Sequence, residues 1–138
     1  MIDRRFLVSE LIACGLSAAI LAIAPSSKSF AASAIAALDK DNDGTLDLAE
    51  VKAAAAGVFD KLDKDSDATL DRNEIGGRAG KTQINQADPD HDGTLTKDEY
   101  LGLAEKLFNA ADADKDGTLD AKELHSKAGR ALLRLIQP

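Results

Sequence analysis

Four twelve-residue stretches of this chain repeat one acidic spacing. They are Asp39–Glu50 (DKDNDGTLDLAE), Asp63–Glu74 (DKDSDATLDRNE), Asp88–Glu99 (DPDHDGTLTKDE) and Asp112–Glu123 (DADKDGTLDAKE). Each places Asp at its first, third and fifth positions and Glu at its twelfth. Carboxylates this close repel one another strongly unless a multivalent cation lies among them. A chain carrying four such clusters at regular intervals can become compact only by building each one around a cation. The repeat therefore dictates four oxygen-lined turns joined by short connecting segments.

Read position by position, the turns resemble EF-hand loops. Side-chain oxygens come from position 1 (Asp39, Asp63, Asp88, Asp112), position 3 (Asp41, Asp65, Asp90, Asp114) and position 5 (Asp43, Asp67, Asp92, Asp116). Position 7 offers a backbone carbonyl from Thr45, Thr69, Thr94 or Thr118, and Glu50, Glu74, Glu99 or Glu123 closes the shell at position 12. Glycine at position 6 permits the sharp turn in three loops; Ala68 takes its place in loop 2, where a left-handed backbone costs roughly 1 kcal/mol. The position-8 leucines, Leu46, Leu70, Leu95 and Leu119, are expected to pair loops through short β-contacts.

Position 9 carries Asp47, Asp71 and Asp120, with Thr96 in loop 3. Three loops thus offer five carboxylates to one cation. Five negative charges over-neutralise a divalent ion and suit a trivalent ion of similar radius. Ligand charge count is a lever on affinity, so the excess favours trivalent lanthanides without excluding calcium.

The remaining acidity leaves little for other partners. The whole chain has 17 Lys and Arg against 24 Asp and Glu, a net charge of −7. The first 31 residues read as an export signal: Arg4 and Arg5, an apolar run from Leu11 to Ala24, and a small-residue exit at Ser29-Phe30-Ala31. The run is too short, and too near the N-terminus, to favour a lasting membrane span. Cleavage would remove Arg4, Arg5 and Lys28 with Asp3 and Glu10, leaving 14 basic and 22 acidic residues and a net of −8. Twenty of those acids lie inside the loops; only Asp60 and Glu105 lie outside. Acidity concentrated in this way argues against nucleic acid as a partner.

The expected organisation is a signal peptide over 1–31 and a four-loop domain over 32–138, exported to the periplasm or secreted. Asp3-Arg4-Arg5-Phe6-Leu7-Val8 also resembles a twin-arginine signal, although an ordinary secretory n-region is preferred. Leu11-Ile12-Ala13-Cys14 resembles a lipoprotein cleavage box, but Glu10 interrupts the short apolar stretch before it. Cleavage after Ala31 takes the only cysteine away, so no disulfide or thiolate chemistry remains.

First loop positions fall at 39, 63, 88 and 112, leaving about twelve residues between one loop and the next. An ordinary EF-hand pair needs two helices there, so one helix must serve two loops. The segment 48–62 carries Val51, Ala55, Val58, Phe59 and Leu62 on one stripe; Tyr100, Leu103, Leu107 and Phe108 repeat the pattern. Fifteen helical residues span about 22 Å, so loops 1 and 2 lie at opposite ends of one rod. Gly76, Gly77 and Gly80 weaken the middle connector. A turn there places loops 2 and 3 at one end and loops 1 and 4 at the other. The fold class is all-α, a compact helical domain.

Four loops about twelve residues apart, with Asp at position 9, resemble lanmodulin, the periplasmic lanthanide-binding family of methylotrophic bacteria. The similarity runs from Ile35 to Ile136. It includes Phe59-Asp60-Lys61-Leu62, Lys97-Asp98-Glu99-Tyr100-Leu101, Glu123-Leu124 to Ala128-Gly129, and Leu133 to Ile136. The family's proline at position 2 occurs only as Pro89; Lys40, Lys64 and Ala113 stand at the other three. The resemblance implies capture of trivalent lanthanide ions, with calcium bound more weakly. The same loops suit a calcium buffer or sensor, and duplicated calcium loops also resemble dockerin, a protein-interaction module.

His91, at position 4 of loop 3, and His125 are expected to face solvent. Phe59, Tyr100 and Phe108 are expected in the core. The chain shows no nucleophile–base pair and no phosphate-cradling glycine loop, which points away from an enzyme. Without the leader it has no methionine, so it lacks the Met-rich surface of peptide-grasping sensors. A metal-dependent dimer or a protein partner stays open. Two phenylalanines, one tyrosine and no tryptophan over 32–138 make a thin core, so binding energy is expected to drive folding.

Overall fold

The structure, a computed structural model, describes residues 28–137. The expected export signal lies outside the described residues, apart from its last four. Six helices and four two-residue strands follow the loops: α1 (Lys28–Leu38), β1 (Leu46–Asp47), α2 (Leu48–Leu62), β2 (Thr69–Leu70), α3 (Arg72–Ile75), α4 (Lys81–Ala87), β3 (Leu95–Thr96), α5 (Lys97–Ala111), β4 (Thr118–Leu119) and α6 (Lys127–Ile136). A 3-10 turn, Glu123–His125, precedes α6. No helix among the described residues is long and apolar enough to cross a membrane.

The loops themselves start the helices. Asp47, Asp71 and Thr96, at position 9, are the N-caps of α2, α3 and α5; each accepts the backbone N–H of the position-12 glutamate, whose side chain reaches back to the cap's own N–H. This reciprocal arrangement is a capping box. The next loop's first aspartate then ends the long helices: Asp63 closes α2 and Asp112 closes α5. One fifteen-residue helix thus serves two loops, over 48–62 as the stripe predicts.

The middle connector breaks where the glycines stand. Gly76 ends α3 in the left-handed region at φ +57°, its N–H donating to the Arg72 carbonyl, and Gly77 follows at φ +78°. The chain turns and re-enters as α4. The loops consequently pair as expected: β1 is antiparallel to β4, with Leu46 opposite Leu119, and β2 is antiparallel to β3, with Leu70 opposite Leu95. Since loops 1 and 4 share one end and loops 2 and 3 the other, α2 and α5 run antiparallel.

The core lies between α2, α5 and α6. All four position-8 leucines are fully buried, so each ribbon is riveted to the core from inside. Val51, Ala55, Val58 and Phe59 of α2 meet Tyr100, Leu103, Ala104 and Phe108 of α5, while Leu62 and Leu107 are partly buried at the margin. Phe59 and Tyr100 form an edge-to-face pair with centroids 5.8 Å apart. Tyr100 also donates its hydroxyl to the Leu135 carbonyl at 2.8 Å, and its burial pushes the phenol pKa up to about 12.

Among the described residues, the two acids outside the loops have structural partners. Asp60 pairs with Lys97 and Glu105 with Lys52, each at 2.8 Å, and both pairs tie α2 to α5. Being exposed, each contributes little. Ala31, Ala34 and Ile35 bury one stripe of α1. The expected cleavage point after Ala31 therefore falls within this helix.

Candidate metal centres

Each loop is wound by its own backbone around its carboxylates. The position-6 N–H donates to the position-1 aspartate in every case: Gly44 to Asp39 (2.9 Å), Ala68 to Asp63, Gly93 to Asp88 and Gly117 to Asp112 (3.1 Å each). The three glycines have φ of 88–89°, and Ala68 is held at φ +67°. Position 4 is left-handed as well, at Asn42, Ser66, His91 and Lys115. Loop 2 therefore keeps the common winding with an alanine where the others have glycine, and it carries that strain in its backbone.

At position 7 the threonine has a second function beside its carbonyl. The hydroxyls and N–H groups of Thr45, Thr69, Thr94 and Thr118 all donate to the position-5 aspartates, Asp43, Asp67, Asp92 and Asp116, at 2.7–2.9 Å. Aspartate followed two residues later by threonine is the sequence signal for this turn.

The structure brings together carboxylates of positions 1, 3 and 12 in three loops: Asp63, Asp65 and Glu74; Asp88, Asp90 and Glu99; Asp112, Asp114 and Glu123. In loop 1 the group is Asp39, Asp41 and Asp43, and in every group one oxygen of each residue lies within 4.8 Å of the others. Glu50 lies beside this group, its carboxylate accepting the N–H of Lys40 at 2.6 Å and of Asp47 at 3.1 Å. The position-9 aspartates are not in these groups. Asp47, Asp71 and Asp120 each point an oxygen at the N–H of the position-12 glutamate, at 2.7–2.8 Å.

Three oxygens of the position-1 aspartates lack a hydrogen-bond donor. Oδ1 of Asp63, Asp88 and Asp112 is buried and accepts no hydrogen bond, and Asp88 and Asp112 are buried residues. A buried carboxylate oxygen without a donor costs several kcal/mol. A hard cation at the centre of the group supplies the missing partner, and the all-oxygen donor set fits such an ion. Loop 1 differs: Asp39 Oδ1 is taken by the Asn42 N–H at 2.6 Å.

Crowding of like charge also shows in the acidities. Partial desolvation and the neighbouring carboxylates push Asp41 and Asp65 above the usual carboxylate range. The hydrogen bond shared with Asp88 and then desolvation do the same at Asp90. At Asp39 and Asp88 desolvation acts upward, but donors led by the Gly44 and Gly93 N–H groups outweigh it and hold the carboxyls below that range. Asp39 and Asp88 are thus held ready as anions, while Asp41, Asp65 and Asp90 keep a proton to higher pH than an ordinary aspartate unless a cation replaces it.

Neither histidine joins a site. His91 is exposed, whereas His125 is half-buried rather than solvent-facing, with Nδ1 2.5 Å from the Ala121 carbonyl. The 3-10 turn folds its ring back onto the carbonyl four residues earlier, a local contact that residue type alone does not encode.

Among known families, the profile of the EF hand matches residues 31–53, 81–104 and 103–126. These segments contain loops 1, 3 and 4. Loop 2, which has the same ligand pattern, lies between them. No curated protein matches the chain.

Proposed function

The chain belongs to the EF-hand family, and from that premise we propose that it captures or buffers trivalent lanthanide ions, binding calcium more weakly and folding as it loads. The buried, unpartnered position-1 oxygens of Asp63, Asp88 and Asp112 carry the metal-binding part of this reading. The preference for trivalent ions is supported by charge: loops 1, 2 and 4 each contain five carboxylates, three more charges than calcium can neutralise. The proposed ligands are the aspartates of positions 1, 3 and 5, the position-7 carbonyls and the position-12 glutamates. Asp47, Asp71 and Asp120 at position 9 complete the proposed set, each with one oxygen also on the position-12 N–H.

The proposed setting is the periplasm or the outside of the cell, reached through the leader over 1–31. The proposed mature domain is 32–138. Metal arrives as cargo: the aspartates of positions 1 and 3 take it between them, and the glutamate of position 12 closes the shell.

A calcium buffer is the second reading. It is favoured by the carboxylates of Asp47 and Asp71, which are engaged as helix caps instead of converging on the cluster. Competitive titration of the metal-free chain with lanthanum and calcium separates the two. The lanthanide reading predicts that lanthanum displaces calcium from all four loops when calcium is in large excess. Equal apparent affinities would make the protein a calcium buffer.

A further inference from the structure

Loop 4 leaves its site differently from loops 1 and 3. Loops 1 and 3 run straight into the long helices α2 and α5, whereas loop 4 passes into the three-residue turn Glu123–His125 and doubles back as α6. Glu123 contributes its carboxylate to the cluster with Asp112 and Asp114. Its backbone carbonyl accepts the Ser126 N–H at 2.9 Å, within the turn that starts α6. Ser126 caps that helix by accepting the Gly129 N–H at 2.9 Å.

Gly129 is buried against the loop. A Cβ at this position would come within 2.3 Å of the Glu123 carbonyl oxygen and 2.5 Å of the Leu124 Cα. Both are backbone atoms that cannot step aside as a flexible side chain would. Only a residue without a side chain lets α6 rest on the back of Glu123.

The far end of α6 is anchored elsewhere. Leu132, Leu133, Leu135 and Ile136 are buried in the core. Tyr100 donates to the Leu135 carbonyl, and the Arg78 guanidinium donates to the carbonyls of Arg134 (3.2 Å) and Gln137. Tyr100 directly follows Glu99 of loop 3, and Arg78 lies between loops 2 and 3. One helix therefore joins a metal-binding carboxylate at one end of the rod pair to the elements that hold the other end.

We infer that α6, seated through Gly129, is a positioning element that sets the affinity of loop 4, and that a cation in loop 4 in turn seats α6. The inference rests on the metal-binding reading above. The metal draws the Glu123 carboxylate inward and so orders the backbone on which Gly129 packs. A seated α6 holds that backbone ready before the cation arrives. Coupling of this kind is reciprocal by thermodynamic necessity.

Two variants of the full chain test it, with lanthanum as the probe. The amides of Gly44, Ala68, Gly93 and Gly117, each bonded to its loop's first aspartate, report the four loops separately by NMR. Gly129→Ala is expected to weaken loop 4 by about tenfold or more, leaving the response of loops 2 and 3 unchanged. Glu123→Gln, at a lanthanum concentration that fills loops 1–3 but not loop 4, is expected to release α6. Amides 130–136 then exchange with solvent while those of α5 stay protected. This second arm does not depend on the Gly129 variant folding. Wild-type affinity at loop 4 in Gly129→Ala, or wild-type protection of α6 in Glu123→Gln, overturns the inference. A wild-type chain in which no loop amide responds to lanthanum or calcium overturns the metal-binding reading and this inference with it.

Discussion

Asp47 and Glu50 hold each other across the start of α2: Asp47 accepts the Glu50 N–H at 2.7 Å, and Glu50 accepts the Asp47 N–H at 3.1 Å. The ninth and twelfth loop positions are therefore one unit, in which a helix cap and a metal-closing carboxylate are hydrogen-bonded together. Metal drawn to Glu50 tightens the first turn of α2, and a formed α2 presents Glu50 to the metal.

Replacing Asp47, Asp71 and Asp120 together by Asn separates charge from capping, because Asn caps a helix about as well as Asp. The triple variant is expected to lose more lanthanum affinity than calcium affinity while keeping the helix content of the loaded protein. The corresponding Ala variant should lose helix stability too, by about 1 kcal/mol at each of the Asp47 and Asp71 caps. Competitive titration with thermal unfolding of each loaded variant checks this. Equal losses for the two ions in the Asn variant would remove position 9 from the account of selectivity.

Ala68→Gly relieves the left-handed backbone in loop 2, worth roughly 1 kcal/mol. Loop 2 should tighten several-fold, with no change at loops 1 and 4. Open space around the position-6 glycines of the other loops shows that the strain is conformational and not a clash. An unchanged loop 2 titration refutes the strain argument.

Leu119→Ala should weaken loops 1 and 4 together, because Leu119 is fully buried opposite Leu46 in the ribbon that joins them. A large-to-small change in a core costs about 2–5 kcal/mol. Loops 2 and 3, joined at the opposite end, should suffer less. Equal weakening of all four would show that the two ends load as a single cooperative unit.

Acid should partly substitute for metal. Asp41, Asp65 and Asp90 hold protons more tightly in the folded, metal-free chain than in the unfolded one, so lowering the pH from neutral favours folding. Asp39, Asp71 and Asp88 are held low and act in the opposite sense, their contribution being lost as pH falls through their folded pKa, below 3.8. Helix content of the chelated chain should therefore rise towards the mildly acidic range just above 3.8 and fall beneath it. A steady decline from neutral pH would contradict this.

Much of the architecture is legible because it follows from spacing. The stripe from Val51 to Leu62 defines α2, and the glycines at 76, 77 and 80 with leucine at every position 8 predict which loops meet. What stays hidden depends on tertiary placement or on one residue type serving two purposes. An aspartate at position 9 looks the same whether it faces a cation or caps a helix. The occupied Oδ1 of Asp39 and the Oδ1 atoms of Asp63, Asp88 and Asp112, which accept no donor, belong to aspartates at the same loop position and differ in how the chain lies around them. Gly129 gives no local sign of its role, since its close neighbour is the carbonyl of Glu123.

The most direct test follows far-UV circular dichroism of the chain from chelator into buffered free lanthanum, and separately into buffered free calcium. Little helix is expected without metal, a cooperative gain of helix with either ion, and a lanthanum midpoint at far lower free concentration. Equal helix content with and without metal, or coincident midpoints for the two ions, would contradict this.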